Sequence, residues 1–160
     1  MSIIGIPPLI SRPDILAPLS AAGHGSLIVI ADAGFPAEDH CYSGLVAYGN
    51  GRIKEFLNAI LQVRSLDDRR YYDDKKFPIF MMSPSSCDED QEEIVDGHNK
   101  AQTVYAQVIR HCTKQDVTAD NLNMLDRADF YCLAEEAALV IKVVTDTTPY
   151  GNIAFRLAAS

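Results

Sequence analysis

A short apolar segment, Leu27–Ala31, most constrains what this chain can fold into. Its three central residues, 28–30, are all β-branched, which is typical of a strand buried on both faces. His24 lies between two glycines before the segment, and Asp32 follows it on a loop rich in glycine and proline. A buried strand that carries a carboxylate into a loop is where α/β proteins usually place ligand-binding residues.

Both polar residues also have plain structural interpretations. A histidine between glycines can simply occupy a turn, and an aspartate after a strand is often only the cap of the next element. A second polar group, Tyr150-Gly151-Asn152, lies at the matching place near the C-terminus and favours a functional interpretation. We also expect Gly23 to be the left-handed residue that ends the preceding helix.

The composition indicates a single globular domain, residues 1–160, and argues against several classes of partner. The 14 basic and 22 acidic residues give a net charge of -8, which disfavours nucleic acid or an anionic membrane as the main partner. No apolar run approaches the roughly 18 residues of a membrane span. The N-terminus has no basic region followed by an apolar core, as a secretory signal would. A cytoplasmic location is expected.

The cysteines and histidines lack the spacing of metal sites. The four cysteines are scattered without a CxxC pair, which predicts reduced thiols in a cytoplasmic protein: Cys41, Cys87, Cys112 and Cys132. No ligand pair supports a zinc site that would combine them with His40 or His111. We therefore expect no metal site.

Hydrophobic periodicity predicts helices and strands in alternation. The predicted strands are Leu27–Ala31, Cys41–Tyr48, Phe77–Met82, Leu139–Thr145 and Asn152–Leu157. The predicted helices begin near Pro13, with Pro18 inside the first, and span Arg52–Val63, Gln91–Cys112 and about 126–138, the last capped by Asp126. Val117–Met124 is ambiguous, and Asp67–Lys76, with Arg69, Arg70, Tyr71 and Tyr72, is expected to be a solvated surface loop. The expected fold class is α/β, a single layered domain with a mixed β-sheet and helices on both faces.

Five motifs, in this order and spacing, resemble a known family, the L-fucose mutarotases and D-ribose pyranases. They are Pro8-Leu9-Ile10-Ser11, Gly23-His24-Gly25, Ala31-Asp32-Ala33-Gly34-Phe35-Pro36-Ala37, Arg127-Ala128-Asp129-Phe130-Tyr131 and Tyr150-Gly151-Asn152-Ile153. The resemblance covers nearly the whole chain. The Phe130-Tyr131 pair and the complete Gly-His-Gly motif favour the fucose mutarotase branch. Ala47-Tyr48-Gly49-Asn50-Gly51 departs from the family's Arg-Ala-Asp-Gly, and the segment between Cys112 and Arg127 is only loosely similar.

The resemblance implies a cofactor-independent isomerase of carbohydrate metabolism that interconverts anomers or ring forms of a monosaccharide, preferably L-fucose. In this family the residue matching His24 is the acid/base catalyst. The residues matching Asp32, Arg127 and Tyr150-Gly151-Asn152 bind the sugar, and Tyr150 could also transfer a proton through its phenol. The family further implies a homo-oligomeric ring, a decamer, with its sites at subunit interfaces.

Histidine suits this reaction because its ordinary pKa of about 6.5 allows it to give or take a proton near neutral pH. Asp32 and Asn152 can bond sugar hydroxyls, and Arg127 offers a rigid fork of donors, although it could instead pair with Asp126 or Asp129. His24 and Asp32 are eight residues apart across a strand, up to roughly 26 Å when extended. We therefore expect different subunits to supply different parts of one site.

Three other functions remain open on the sequence. The chain could be a D-ribose pyranase-type enzyme, or a sugar-binding paralogue without turnover, although pure binding needs no titrating group at His24. A metal-dependent hydrolase using His24, Asp32 and His40 has little support, because these residues lack clustered ligand spacing.

Overall fold

Six strands form one mixed sheet in this computed structural model, which describes residues 5–67, 77–85 and 91–159. They are β1 (Leu27–Ala31), β2 (Val46–Gly49), β3 (Ile79–Met82), β4 (Asn123–Leu125), β5 (Leu139–Val143) and β6 (Ile153–Arg156). Their order is β2-β5-β1-β6-β3-β4. β6 runs antiparallel to its neighbours β1 and β3, and the other neighbouring strands are parallel. The expected α/β fold with a mixed sheet is confirmed.

Four helices cover the two faces of the sheet: α1 (Pro13–Ala21), α2 (Ile53–Val63), α3 (Glu92–Thr113) and α4 (Arg127–Ala134). Every residue of β1 is buried, and successive side chains point to opposite faces. Ile28 and Ile30 join the apolar cluster that contains residues of α1, α2 and α3. Leu27, Val29 and Ala31 join a second cluster with Phe130 of α4. This two-sided burial is what the β-branched composition of the strand predicts.

The structure shortens two predicted elements at tight turns. The predicted strand Cys41–Tyr48 begins only at Val46, because Gly44 closes a turn onto Cys41 in a left-handed conformation with φ 71°. The last predicted helix ends at Ala134 instead of near residue 138. The backbone N–H of Ala138 donates to Leu27 and so already continues the sheet hydrogen bonding. The ambiguous segment Val117–Met124 contains a short 3₁₀ turn and the start of β4.

The segment that departs from the family motif is fixed by packing at Gly49. A Cβ atom at this position would lie 2.4 Å from Cζ of Phe56. Phe56 is buried in α2, so its ring has little freedom to move away. Only glycine fits at the end of β2 next to this ring.

The amino end of α2 is capped by a residue distant in sequence, Asp146. Its Oδ2 accepts the N–H of Ile53 at 2.8 Å, and its Oδ1 accepts the N–H of Thr148 at 3.0 Å. The carboxyl group is only 3% exposed. Burial opposes its ionisation, but the donated N–H bonds outweigh burial and hold the pKa of Asp146 below its ordinary value.

Replacing Asp146 with alanine should therefore lower the free energy of unfolding at neutral pH by about 1–3 kcal/mol, because two N–H groups lose their acceptor. The folded-state pKa lies below the unfolded value of 3.8, so this stabilisation is present above that pH and is lost as the pH falls through the folded-state pKa. Urea unfolding of wild type and Asp146→Ala at pH 7 and at acidic pH measures both effects. A deficit that is equal at the two pH values would contradict capping by the carboxylate.

Candidate functional site

The carboxyl-terminal edge of the sheet brings together side chains from four separate parts of the chain. β1, β3 and β4 all end at this edge, and the antiparallel β6 begins there. The topology thus places Asp32 after β1, Met82 at the end of β3, Arg127 after β4 and Asn152 before β6. They line a cavity of about 160 Å³, whose full lining is Asp32, Gly34, Phe35, Met82, Arg127, Tyr131, Tyr150 and Asn152.

Asp32 is held at the base of this cavity by backbone hydrogen bonds. Its Oδ1 accepts the N–H of Gly34 at 2.9 Å, and its own N–H donates to Oδ1 of Asn152 at 2.7 Å. The residue is 9% exposed, and burial raises the pKa of Asp32 above its ordinary value. A buried carboxylate at a cavity is costly to the fold, which is typical of a group kept to bind a ligand.

Replacing Asp32 with asparagine should stabilise the fold at neutral pH. The raised folded-state pKa means that ionised Asp32 costs stability as the pH rises above its unfolded value of 3.8. Asparagine keeps an acceptor for the N–H of Gly34 but carries no charge, so we expect a gain in the free energy of unfolding at pH 7 that shrinks as the pH falls toward 4. Urea unfolding at both pH values measures this gain, and an Asp32→Asn variant less stable than wild type at pH 7 would refute it.

Tyr150 and Arg127 form a second polar unit in the cavity. The guanidinium of Arg127 donates to the Tyr150 phenol at 3.2 Å, and its carbon lies 5.9 Å from the centroid of the Tyr150 ring. The phenol itself donates to Oγ of Ser85 at 3.4 Å. The expected alternative, pairing of Arg127 with Asp126 or Asp129, is not what the described residues show. Asp126 instead caps α4, as predicted, by accepting the N–H of Asp129.

The backbone of the Tyr150-Gly151-Asn152 motif is strained and tightly packed. Tyr150 adopts φ 54°, in the left-handed region that a bulky residue rarely occupies. A Cβ atom at Gly151 would lie 3.1 Å from the carbonyl oxygen of Thr148. The hydroxyl of Tyr105 donates to the Gly151 carbonyl at 2.7 Å. Gly151 therefore acts through the shape of the loop, which presents Tyr150 and Asn152 to the cavity.

One side of the cavity is apolar, and part of it was not found from the sequence. Phe35, which the sequence places after Asp32, packs edge-on against Tyr131 with ring centroids 5.4 Å apart. In the sequence, Tyr131 belongs to a family motif without a predicted role, and Met82 is only the last residue of a predicted strand. The Nε2 of buried His98 lies 2.9 Å from the carbonyl oxygen of Met82 and supports it from behind. Only the β3–β6 pairing brings Met82 to this edge, so no local signal could have indicated it.

His24 lies at the opposite, amino-terminal edge of the sheet. It occupies a turn in which the N–H of Ser26 donates to Gly23, and Gly25 has φ 81°. The prediction for Gly23 is therefore wrong: α1 ends at Ala21, the C-cap Ala22 is extended, and Gly25 is the left-handed residue. The reason is that the chain reverses direction in the turn formed by residues 23–26, after the helix, so the left-handed conformation falls on Gly25. The His24 side chain is 36% exposed.

Asp67 is the neighbour of His24 that sequence analysis missed. The solvated-loop prediction is wrong for Asp67, whose Oδ2 lies 3.7 Å from Nε2 of His24 and whose side chain is 0% exposed. An isolated bridge between Leu66 and Leu157 draws this residue under the sheet edge, where its N–H donates to Arg156. In the sequence, the apolar residue Leu66 directly before Asp67 is the only sign that the start of the predicted loop is buried. Residues 69–72 of the same predicted loop lie outside the described residues.

One chain therefore gathers Asp32, Arg127, Tyr150 and Asn152 around a cavity but places His24 elsewhere. β1 runs between the two edges, and its five residues span roughly 16 Å at the usual rise per residue. A single monosaccharide cannot contact both ends of this strand. The arrangement also separates His24 from Asp32, two of the three residues of the metal-dependent hydrolase hypothesis.

Other features of the described residues concern metals, thiols and membranes. No group of three His, Cys, Asp or Glu side chains in the described ranges is placed to hold a metal ion. Cys41, Cys112 and Cys132 are free, as predicted, and Cys87 lies outside the described residues. No helix in the described part of the chain is long and apolar enough to cross a membrane.

Comparisons with known proteins show what this chain is similar to in sequence and fold. Human fucose mutarotase is 30% identical over an alignment of 161 positions, which covers 98% of this chain and 93% of that protein. The crystal structure of FucU from Bifidobacterium longum superposes with a TM-score of 0.78 at 32% identity and covers 98% of this chain and 99% of that one.

A further structure, a fucose mutarotase from Streptococcus pneumoniae in complex with L-fucose, has a TM-score of 0.74 at 28% identity, with 97% of each chain covered. The sequence itself matches the RbsD / FucU transport protein family over residues 4–159. The resemblance inferred from the motifs is confirmed: this chain belongs to the RbsD/FucU family.

Proposed function

We propose that this chain is a sugar mutarotase that interconverts the anomers of L-fucose by general acid/base catalysis. The names of the human and S. pneumoniae relatives support this activity. The reaction breaks and remakes the bond between the anomeric carbon and the ring oxygen. One proton leaves the anomeric hydroxyl and one reaches the ring oxygen, which requires a group that titrates near neutral pH.

The single observation that carries the proposal is the two-sided chemistry of the cavity. Asp32, Arg127 and Asn152 supply acceptors and donors for vicinal hydroxyls. Phe35 and Tyr131 face them with apolar rings. L-Fucose is a deoxyhexose that carries a methyl group in place of a hydroxymethyl group, so it offers one apolar corner among polar ones. This combination fits the cavity better than an all-hydroxyl ligand.

His24 is proposed as the catalyst, acting on a sugar bound in the cavity of a neighbouring subunit. Support comes from the position of His24 at the far edge of its own sheet. The carboxyl group of Asp67 beside Nε2 can orient the imidazole, which makes Asp67 a positioning residue. Tyr150 could stack on the sugar or transfer the second proton through its phenol.

A homo-oligomeric ring with sites at its subunit interfaces follows from this division of residues. A head-to-tail interface would repeat the same contact around a closed ring, so every cavity would receive one histidine. We propose the decamer implied by the family resemblance, with the chain acting as one mutarotase domain in the cytoplasm. The free cysteines of the described residues are compatible with that location.

Saturation-transfer NMR on a panel of sugars tests the function directly. We expect the wild-type protein to accelerate anomer exchange of L-fucose more than the exchange of D-ribose between its ring forms. Acceleration of ribose exchange alone would favour the pyranase alternative. Binding of L-fucose without any acceleration would instead indicate a sugar-binding paralogue.

A further inference from the structure

A ring stack lies directly behind the apolar side of the sugar cavity. The imidazole of His40 lies against the ring of Tyr131, with ring centroids 4.3 Å apart and planes 24° apart. Tyr131 in turn meets Phe35 edge-on, and both of these rings line the cavity. His40 itself is absent from the cavity lining. Its ring therefore reaches the cavity through Tyr131 and, at a centroid distance of 6.5 Å, through Phe35.

The position of His40 is fixed from two sides. Its Nδ1 faces Oε1 of Glu135 at 3.5 Å, and the two side chains are 25% and 24% exposed. Its backbone N–H donates to Ala37 at 3.3 Å, which closes the short turn after the Asp32 loop. The neighbouring N–H of Tyr42 donates to the Glu135 carbonyl at 3.2 Å, so this loop is joined to the end of α4.

The ring nitrogen of His40 that faces Glu135 makes no close hydrogen bond, so the ring is held by the ion-pair contact and by stacking. Nδ1 is buried and has no hydrogen-bond partner among the described residues. A buried polar atom without a partner is costly. The ring nevertheless stacks on Tyr131, with the two planes 24° apart.

We propose that His40 is a positioning residue for sugar binding, which holds the Tyr131 ring against Phe35 by stacking. The inference rests on the proposed mutarotase function. Without the stacked imidazole, Tyr131 can rotate toward the space behind it, and the apolar side of the cavity loses its shape. Because His40 does not contact the sugar or the reacting atoms, its loss affects KM for the sugar and leaves kcat nearly unchanged.

Three substitutions separate the planar ring from simple volume. His40→Ala removes the ring, His40→Leu fills part of the space without a planar face, and His40→Phe keeps a ring that can stack. KM and kcat for L-fucose anomer exchange are measured by NMR at increasing sugar concentration, with the thermal unfolding midpoint recorded for each variant. His111→Ala, an exposed histidine on α3, is the matched control and should behave as wild type.

We expect His40→Ala and His40→Leu to raise KM roughly two- to twelve-fold, the range typical of one aromatic pair, and His40→Phe to restore it. If His40→Ala fails to fold, the comparison of His40→Leu with His40→Phe decides. A KM that is unchanged in all variants, raised in all of them, or restored equally by leucine overturns the stacking role. A fall in kcat at constant KM overturns it as well. Failure of the underlying function is distinct, because then wild type itself shows no exchange.

Discussion

His24→Ala is expected to lower the L-fucose anomer-exchange rate by about 10²- to 10⁴-fold, the range of general acid/base catalysis. Asp32, Arg127 and Asn152, which we propose bind the sugar, line the cavity at the other edge of the sheet and are untouched in this variant. Binding of L-fucose should therefore persist while turnover is lost. Saturation-transfer NMR measures the exchange rate, and ligand-observed NMR on the same samples measures binding.

His24→Gln gives a matched variant that keeps a polar side chain but cannot titrate near neutral pH. We expect it to be as inactive as His24→Ala, because proton transfer and not hydrogen bonding is the proposed role. His111→Ala controls for the removal of a histidine from the surface. Wild-type exchange in either His24 variant would remove His24 as the catalyst and leave the proposed sugar cavity without an identified base.

Mixing two inactive variants, His24→Ala and Arg127→Ala, is expected to restore activity. His24→Ala chains keep an intact cavity, and Arg127→Ala chains keep an intact histidine. In a randomly mixed ring, a site is complete when its cavity comes from the first chain and its histidine from the second. Each condition holds for about one half of the sites, so about one quarter of wild-type activity should return.

The control mixes Asp32→Asn chains with Arg127→Ala chains, so that both defects lie in the cavity and none affects the histidine. Every cavity then carries one defect, so no activity should return. The chains are refolded together from urea so that subunits exchange, and each variant refolded alone gives the baseline. Activity that stays at this baseline in the His24→Ala and Arg127→Ala mixture would show that one chain supplies both parts of its site.

The sequence determined most of the sheet and the identity of the polar residues. β1 was predictable because its burial on both faces leaves a continuous β-branched run, a local pattern that needs no partner to be recognised. Asp32 and Asn152 could be singled out because each lies where a strand meets a polar loop. Asp67 could not, since its burial depends on the bridge between Leu66 and Leu157, and the residues around it are charged.

Only the tertiary structure decided which of these residues share a site. Strand order is a property of long-range pairing, and the pairing of β6 with both β1 and β3 brings Asn152 and Met82 beside Asp32. The same pairing leaves His24 and Asp67 at the opposite edge. Local sequence specifies the side chains at each strand end, but hydrogen bonding between strands distant in sequence determines which ends meet.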